Sequence, residues 1–333
     1  MNVHVRKPRV FDDADNTRSF ATDVLTGLTT VPKSMPPKYF YDERGSELFE
    51  EITKLTEYYP TRTEISILKT NADAIAALVP PDAAMIEFGA GSAAKTPILL
   101  DAAPQISAYV PVDISGDFLA GTAAQLRKDR PNLLVLPVEA DFTQPFALPA
   151  AIGTRPRVGF FPGSTIGNFE PHEANALLHH AAAILGPNAL FIVGIDLVKD
   201  PEVLTLAYND RAGVTAAFNL NLLTRINRDL GGDFDLAKFC HRAFYNQNRR
   251  RIEMHLVSKS RQKVHVGGKT IEFRRGETIH TENSYKYTLE AFLSHASAAG
   301  WTSAATWTDP RNFFAVLALR SRGVTGPRPV SAI

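Results

Sequence analysis

The chain of 333 residues has almost no cysteine, almost no net charge and no long apolar run. Each shortage removes a class of protein. The single cysteine, Cys240, cannot form an internal disulfide or supply a multi-cysteine zinc site. Within Phe239-Cys240-His241 it reads as a small buried apolar residue. A formal charge of +1, from 36 Lys+Arg and 35 Asp+Glu, builds in no long-range attraction to nucleic acid or to an anionic membrane. No apolar stretch approaches the roughly 20 residues that a spanning helix needs. Met1 to Asn16 is polar and charged and lacks the apolar core of a signal peptide. A reducing cytoplasm is therefore the expected compartment. A hydrophobic content of 44% with 21% charged residues suits a globular protein of one large or two modest domains. There is no internal repeat and no low-complexity tract.

Hydrophobic periodicity divides the chain. Phe20, Val24, Leu25 and Leu28 recur at helical spacing within Thr17 to Leu28. Pro32, Pro36 and Pro37 make Val31 to Lys38 a loop. Tyr39 to Leu55 reads as a short helical segment, and Thr63 as the cap of a helix running to about Leu78. From Ala83 to Asp196, strands and helices alternate, which predicts an α/β fold with a doubly wound parallel sheet. After Asp196 the pattern changes. Leu204 to Leu230 is helical; Ala243 to Val257 and Lys263 to Phe273 alternate apolar and polar residues, with Gly267-Gly268 as a hairpin turn. Leu289 to Ala299 returns to helix, and Trp301 to Trp307 and Phe313 to Leu319 are two further strands around Asp309-Pro310. The expected division is an N-terminal helical segment (1–62), a sheet domain (63–196 and 288–321) and an inserted α+β lobe (197–287). The site is expected between the lobes, where pockets tend to form.

The most informative stretch is Ile86-Glu87-Phe88-Gly89-Ala90-Gly91-Ser92-Ala93-Ala94-Lys95-Thr96. It reads as strand, tight turn and helix, with glycines that let the backbone approach a nucleotide-like ligand. A second apolar segment, Val110-Pro111-Val112, ends on Asp113, 22 residues after Gly91. That is the spacing at which a carboxylate meets ribose hydroxyls. A third, Leu133 to Val138, ends at Glu139-Ala140-Asp141-Phe142. The bland alternative for Asp113 is a helix cap, and Asp141 reads equally as a turn residue. The series of glycine turn, ribose acid and acid plus aromatic resembles that of class I methyltransferases, which bind S-adenosylmethionine. A dinucleotide fingerprint would want a third glycine at Ser92-Ala93-Ala94, to seat pyrophosphate on the helix N-terminus. A sulfonium donor without phosphate does not need it. The class I sheet also ends in an antiparallel strand pair, as the last two strands here would form.

Two further polar clusters could carry chemistry. Phe160-Phe161-Pro162-Gly163-Ser164-Thr165-Ile166-Gly167-Asn168-Phe169 follows the fourth strand and offers hydrogen bonds without charge; Asn168 reads equally as the N-cap of a helix from Pro171. In Glu277 to Tyr287, a strand would place Glu282 and Ser284 on one face, fit for a small substrate with N–H groups, or simply facing solvent. Arg249-Arg250-Arg251 reads as a solvated hairpin end, and the adjacent His179-His180 cannot face one metal together. No metal site is expected. A base-flipping loop and basic surface, needed by a nucleic-acid methyltransferase, are both lacking.

Longer motifs make the resemblance specific. Pro36-Pro37-Lys38-Tyr39-Phe40-Tyr41-Asp42, Glu57-Tyr58-Tyr59-Pro60-Thr61-Arg62-Thr63-Glu64, Glu87-Phe88-Gly89-Ala90-Gly91, Gly163-Ser164-Thr165-Ile166-Gly167-Asn168, Ala212 to Asn219 and Arg251-Ile252-Glu253-Met254 together resemble the L-histidine Nα-methyltransferase family of ergothioneine biosynthesis. The likeness spans about Ser19 to Arg320. It implies a class I methyltransferase Rossmann-like sheet with an inserted substrate lobe. It implies S-adenosylmethionine contacts at Tyr41, Gly89, Lys95, Asp113, Asp141 and Phe142. Asn168 and Tyr208 would hold the amino-acid end of histidine and orient it for catalysis. Tyr58, Glu282 and Ser284 would hold the imidazole, with Met254 lining that pocket. The implied reaction is trimethylation of L-histidine to its betaine (hercynine), by a cytoplasmic monomer. Relatives acting on other amino acids or small amines are the alternative.

Overall fold

A computed structural model describes residues 13–91, 94–114 and 116–322. Ser92 and Ala93 of the glycine stretch, Ser115 and the first twelve residues lie outside these. The chain divides into two units: residues up to Tyr59 with Lys199–Ser284, and Pro60–Val198 with the chain from Tyr285 onward.

The second unit is built on an eight-stranded sheet. Its order is Trp301–Thr308, Phe314–Ser321, Leu190–Asp196, Arg157–Phe161, Ala83–Phe88, Ile106–Asp113 and Leu134–Val135, with Val138–Glu139 also paired to Ile106–Asp113. All pairings are parallel except those of Phe314–Ser321, which runs antiparallel to both neighbours. Strand order reverses between Ala83–Phe88 and Arg157–Phe161, so their carboxyl ends flank the crevice where such sheets bind ligands. This is the Rossmann-like class I methyltransferase arrangement with its terminal antiparallel pair.

Ala83–Phe88 is buried along its whole length, because helices cover both faces. Pro171–Leu185 and Leu289–Ala298 pack over Ile86, Phe88, Phe161 and Phe191. Tyr59–Thr70, Ala72–Ala76, Thr96–Ala102 and Gly116–Asp129 cover Met85, Tyr109, Phe160 and Ile192 on the other face. Burial of each large side chain contributes about 1.5–3 kcal/mol.

Two expectations are corrected here. Thr63 caps nothing: the helix starts at Tyr59, with Pro60 in its first turn, and Thr63 lies buried inside it. The strand expected over Leu133 to Val138 is split into Leu134–Val135 and Val138–Glu139, because Pro137 has no N–H to give a ladder.

The first unit has a four-stranded sheet in the order Lys33–Ser34, Thr278–Tyr285, Arg251–Ser258, Phe239–Asn246. Gln262–Val266 and Lys269–Phe273 form a hairpin turning at Gly267-Gly268, where φ is 54° and 74°. Within the proline loop, Lys33-Ser34 is extended enough to pair in parallel with Ile279-His280. The helix expected over Leu204 to Leu230 is interrupted. Pro201–Leu206 ends before Tyr208, and Val214–Leu230 begins after Gly213. Asp210 accepts hydrogen bonds from the amides of Val214 and Thr215, both at 2.8 Å, and so closes the second helix's first turn. Arg249 and Arg250 are exposed as expected, but Arg251 is buried and donates to Glu253 at 2.9 Å, which corrects the reading of the whole run as solvated. Cys240 is half-buried.

Candidate active site

In the sheet unit, the turn after Ala83–Phe88 is tied to the strand that carries Asp113. The amides of Gly89 and Ala90 both donate to the Val112 carbonyl, at 2.8 and 3.1 Å. Gly89 has φ 74°, a conformation that a side chain opposes, and a Cβ there would meet the Phe142 ring at 3.3 Å. A Cβ on Gly91 would lie 3.7 Å from Asp113 Oδ2. The two glycines thus leave bare backbone beside a carboxylate and an aromatic ring, a cradle that side chains would fill. Phe142 is held edge-on by Phe161 and Phe169, with centroids 5.6 and 6.3 Å away. Asp141 Oδ1 accepts from the Thr143 amide at 2.9 Å and from its hydroxyl at 2.5 Å. The turn role of Asp141 is therefore realised.

Glu87, just before the turn, is buried and accepts hydroxyl hydrogen bonds from Thr96 and Tyr109, each at 2.6 Å. Burial pushes its carboxyl up to about 7, against the pull of those hydroxyls and of Lys95. Lys95 is itself buried, its ammonium 2.6 Å from Glu64. After Arg157–Phe161, Gly163 (φ 81°) and Ser164 (φ 56°) turn the chain left-handed into the 3₁₀ turn Thr165–Asn168. Ser164 Oγ accepts from the Asp196 amide at 2.8 Å and fixes that turn. The following helix is capped reciprocally by Glu170 and Glu173, so the N-cap reading of Asn168 is removed.

In the first unit, Tyr58, Tyr208, Glu282, Ser284 and Met254 are all buried. The Tyr208 hydroxyl donates to Ser284 Oγ at 2.8 Å. Tyr58 stands edge-on to Tyr208 and to Phe49, at 6.1 and 6.3 Å. Tyr41 packs edge-on against Phe49 and Phe218, at 5.7 and 5.9 Å. Along Thr278–Tyr285, Ile279, Thr281, Glu282 and Ser284 are buried, while His280 and Asn283 are half-buried. Glu282 and Ser284 share one face of the strand by its alternation, and Ile279 and Thr281 the opposite one, so both faces are covered here. Thr281 donates to the Met254 carbonyl at 3.1 Å, which sets this part of the strand beside Met254.

Glu253, His255 and His280 place one ligand atom each within 4.8 Å of one another. The His255 and His280 rings are stacked, with centroids 4.7 Å apart and planes 16° from parallel. Ring lone pairs lie in the ring planes, so stacked imidazoles cannot both aim at one ion. The Arg251 guanidinium on Glu253 further opposes a cation. Burial lowers the pKa of His255 and of His280, favouring the neutral rings.

A family model described as "Histidine-specific methyltransferase, SAM-dependent" matches residues 20–321. The chain belongs to that family. It is 41% identical over 304 residues to a histidine N-alpha-methyltransferase of Mycolicibacterium smegmatis, covering 90% of this chain and 94% of the relative. It is 31% identical over 310 residues to ergothioneine biosynthesis protein 1 of Neurospora crassa, covering 87% of this chain and 34% of that longer protein. It is also 28% identical to a 4-dimethylallyltryptophan N-methyltransferase of Aspergillus fumigatus, over 91% of this chain and 94% of that one. The chain is thus an S-adenosylmethionine-dependent N-methyltransferase with a small-molecule substrate.

Seen as a member of this histidine-specific family, the chain gathers Gly89, Asp113 and Phe142 at the carboxyl ends of neighbouring strands, with Asp141 engaged in the turn beside them. Lys95 is bound to Glu64, a partner to which its motif alone assigns no role. The same holds for Asn219. Its amide is 2.9 Å from His241 and accepts from Thr281 at 2.9 Å, linking helix to sheet behind Met254. Both residues sit inside long matching motifs, and that was the available signal. Asn168 lies in the sheet unit, and Tyr208 in the other.

Proposed function

We propose that this enzyme methylates the α-amino nitrogen of L-histidine three times, giving trimethylhistidine betaine on the route to ergothioneine. The observation that carries the reading is the buried carboxylate of Glu282 beside the Tyr208–Ser284 hydroxyl pair. A carboxylate and a hydroxyl two residues apart on one strand face can both accept hydrogen bonds from N–H groups, which an imidazole carries. S-adenosylmethionine, when bound, supplies an electrophilic methyl group on a sulfonium. Gly89, Asp113 and Phe142 would cradle it, with Tyr41, Lys95 and Asp141 as further contacts. The Asn168 amide and the Tyr208 phenol would orient the amino end, so that nitrogen sits near 3 Å from the methyl carbon. A sulfonium close by disfavours an ammonium and lowers the amine's pKa, which favours the neutral nucleophile. The proton then leaves through water or a tyrosine. Each methyl group removes one N–H donor, and an amide and a phenol tolerate that loss.

The enzyme is read as a monomer acting in the cytoplasm. Its single cysteine fits a reducing compartment. No helix among the described residues is long and apolar enough to cross a membrane. The test is to incubate it with S-adenosylmethionine and L-histidine and follow the mass. Gains of one, two and three methyl groups support the reading, and a monomethylated end product under excess donor removes trimethylation. The relative acting on 4-dimethylallyltryptophan keeps a second reading open, a different amino acid on the same scaffold. A substrate panel separates the two.

A further inference from the structure

Glu64 belongs to helix Tyr59–Thr70 yet reaches both loops that flank the strand-order reversal. Its Oε2 lies 2.6 Å from Lys95 Nζ, on the loop after Ala83–Phe88. Its two oxygens accept from the Gly163 amide, at 3.0 and 2.8 Å, on the loop after Arg157–Phe161. The Glu64 side chain is 1% exposed and that of Lys95 is 10% exposed. The backbone makes room for the carboxylate: a Cβ on Gly194 would stand 2.1 Å from Glu64 Oε1. At Gly163 a Cβ would press on Lys95 Nζ at 3.2 Å. Glycines on two different strands or strand ends thus enclose this one ion pair.

A buried ammonium needs its counter-charge close by, since an uncompensated charge in a low-dielectric site is expensive. It also repels any other cation held nearby. Glu87 is a second carboxylate near Lys95, engaged by the Thr96 and Tyr109 hydroxyls, while the Lys95 ammonium pairs with Glu64. The Lys95 charge is therefore balanced by Glu64.

We propose that Glu64 is a positioning residue of the methyl-donor site: it fastens the Lys95 loop to the Gly163–Asn168 loop and cancels the Lys95 charge, so that the site accepts a sulfonium cation. This rests on the reading of those loops as the donor site. Loss of the carboxylate therefore discriminates between two ligands of almost the same shape. S-adenosylmethionine carries the sulfonium charge; S-adenosylhomocysteine, its thioether product, does not.

The experiment measures the dissociation constants of both ligands by calorimetry for the wild-type enzyme, Glu64→Gln and Lys95→Met, at a pH near 8.5. Glu64→Gln leaves Lys95 uncompensated, and S-adenosylmethionine is expected to lose roughly ten-fold more affinity than S-adenosylhomocysteine. Lys95→Met leaves Glu64 uncompensated and is expected to shift the ratio the opposite way, in favour of the sulfonium. A purely structural role would weaken both ligands equally. An unchanged ratio in both variants overturns the proposal. If Glu64→Gln shows no cooperative melt, the Lys95→Met ratio alone decides. Failure of the wild-type enzyme to bind either ligand would overturn the donor-site reading itself; binding with an unchanged ratio overturns only the role of Glu64.

Discussion

The phenol of Tyr208 donates a 2.8 Å hydrogen bond to Oγ of Ser284, and both side chains are buried. Tyr208 belongs to the break between two helices, and Ser284 to the end of a strand. The bond joins the residue assigned to the amino end of the substrate with one assigned to its imidazole. Tyr208→Phe should lower stability by about 1 kcal/mol, the usual net worth of such a bond. It should also raise the KM for histidine by roughly ten-fold through lost orientation of both ends. Thermal melting and steady-state kinetics check this, with S-adenosylmethionine affinity expected to be unchanged.

Glu282→Ala removes the acceptor assigned to the imidazole N–H. A lost hydrogen bond to a charged group corresponds to about 1.5–3 kcal/mol, so kcat/KM for histidine should fall by roughly ten- to a hundred-fold. Amino acids without an N–H on the side chain should be affected far less. Full histidine turnover by the variant at low substrate would remove Glu282 from the imidazole site.

Gly89→Ala places a side chain where φ is 74° and where its Cβ meets the Phe142 ring at 3.3 Å. The left-handed conformation costs about 1–2 kcal/mol for a residue with a Cβ, and the ring must also give way. Donor binding measured by calorimetry should weaken by at least roughly ten-fold. Near-wild-type affinity would show that the turn does not approach the donor.

Glu87 predicts a pH dependence of stability with a definite sign. Its carboxyl is pushed up from 4.5 to about 7, first by burial. Between those values the folded state binds more protons than the unfolded chain, so stability falls as pH rises. The contribution is fully present below 4.5 and is lost as pH passes 7. Its size is on the order of 3 kcal/mol. His241, His255 and His280, whose pKa values burial lowers from 6.5, act with the opposite sign on the acid side of that value. The readout is therefore the difference in melting temperature between Glu87→Gln and wild type. That difference should grow in the variant's favour from about pH 5 to about pH 8. A flat difference would show that the Glu87 carboxyl is not raised.

Much of the fold was legible because it rests on local regularities. The apolar runs at Ala83, Arg157 and Ala189, each followed by a turn, gave the parallel strands. The helices from Pro171 and Leu289 followed from their apolar spacing. The errors fall where tertiary bonds override a local signal. Thr63 looks like a cap, but Pro60 starts the helix earlier. Lys33-Ser34 looks like loop, but a neighbouring strand end pairs with it. Arg251 looks solvated until Glu253 is placed beside it.

By itself the sequence determined the alternation of elements, the glycine turn with its following acids, and the family. All of these depend on residues close together in the chain or on motifs with fixed spacing. Only the tertiary structure decided between equal readings. It capped the helix at Pro171 with Glu170, leaving Asn168 out of that role, and engaged Oδ1 of Asp141 in a turn without removing it from the donor site. It paired Lys95 with Glu64, 31 residues away in the chain. It set Tyr208 against Ser284, 76 residues away. Such contacts join segments with no common periodicity. Burial then decides them, because a charge or hydroxyl taken out of water must find its partner among whatever groups the fold brings near.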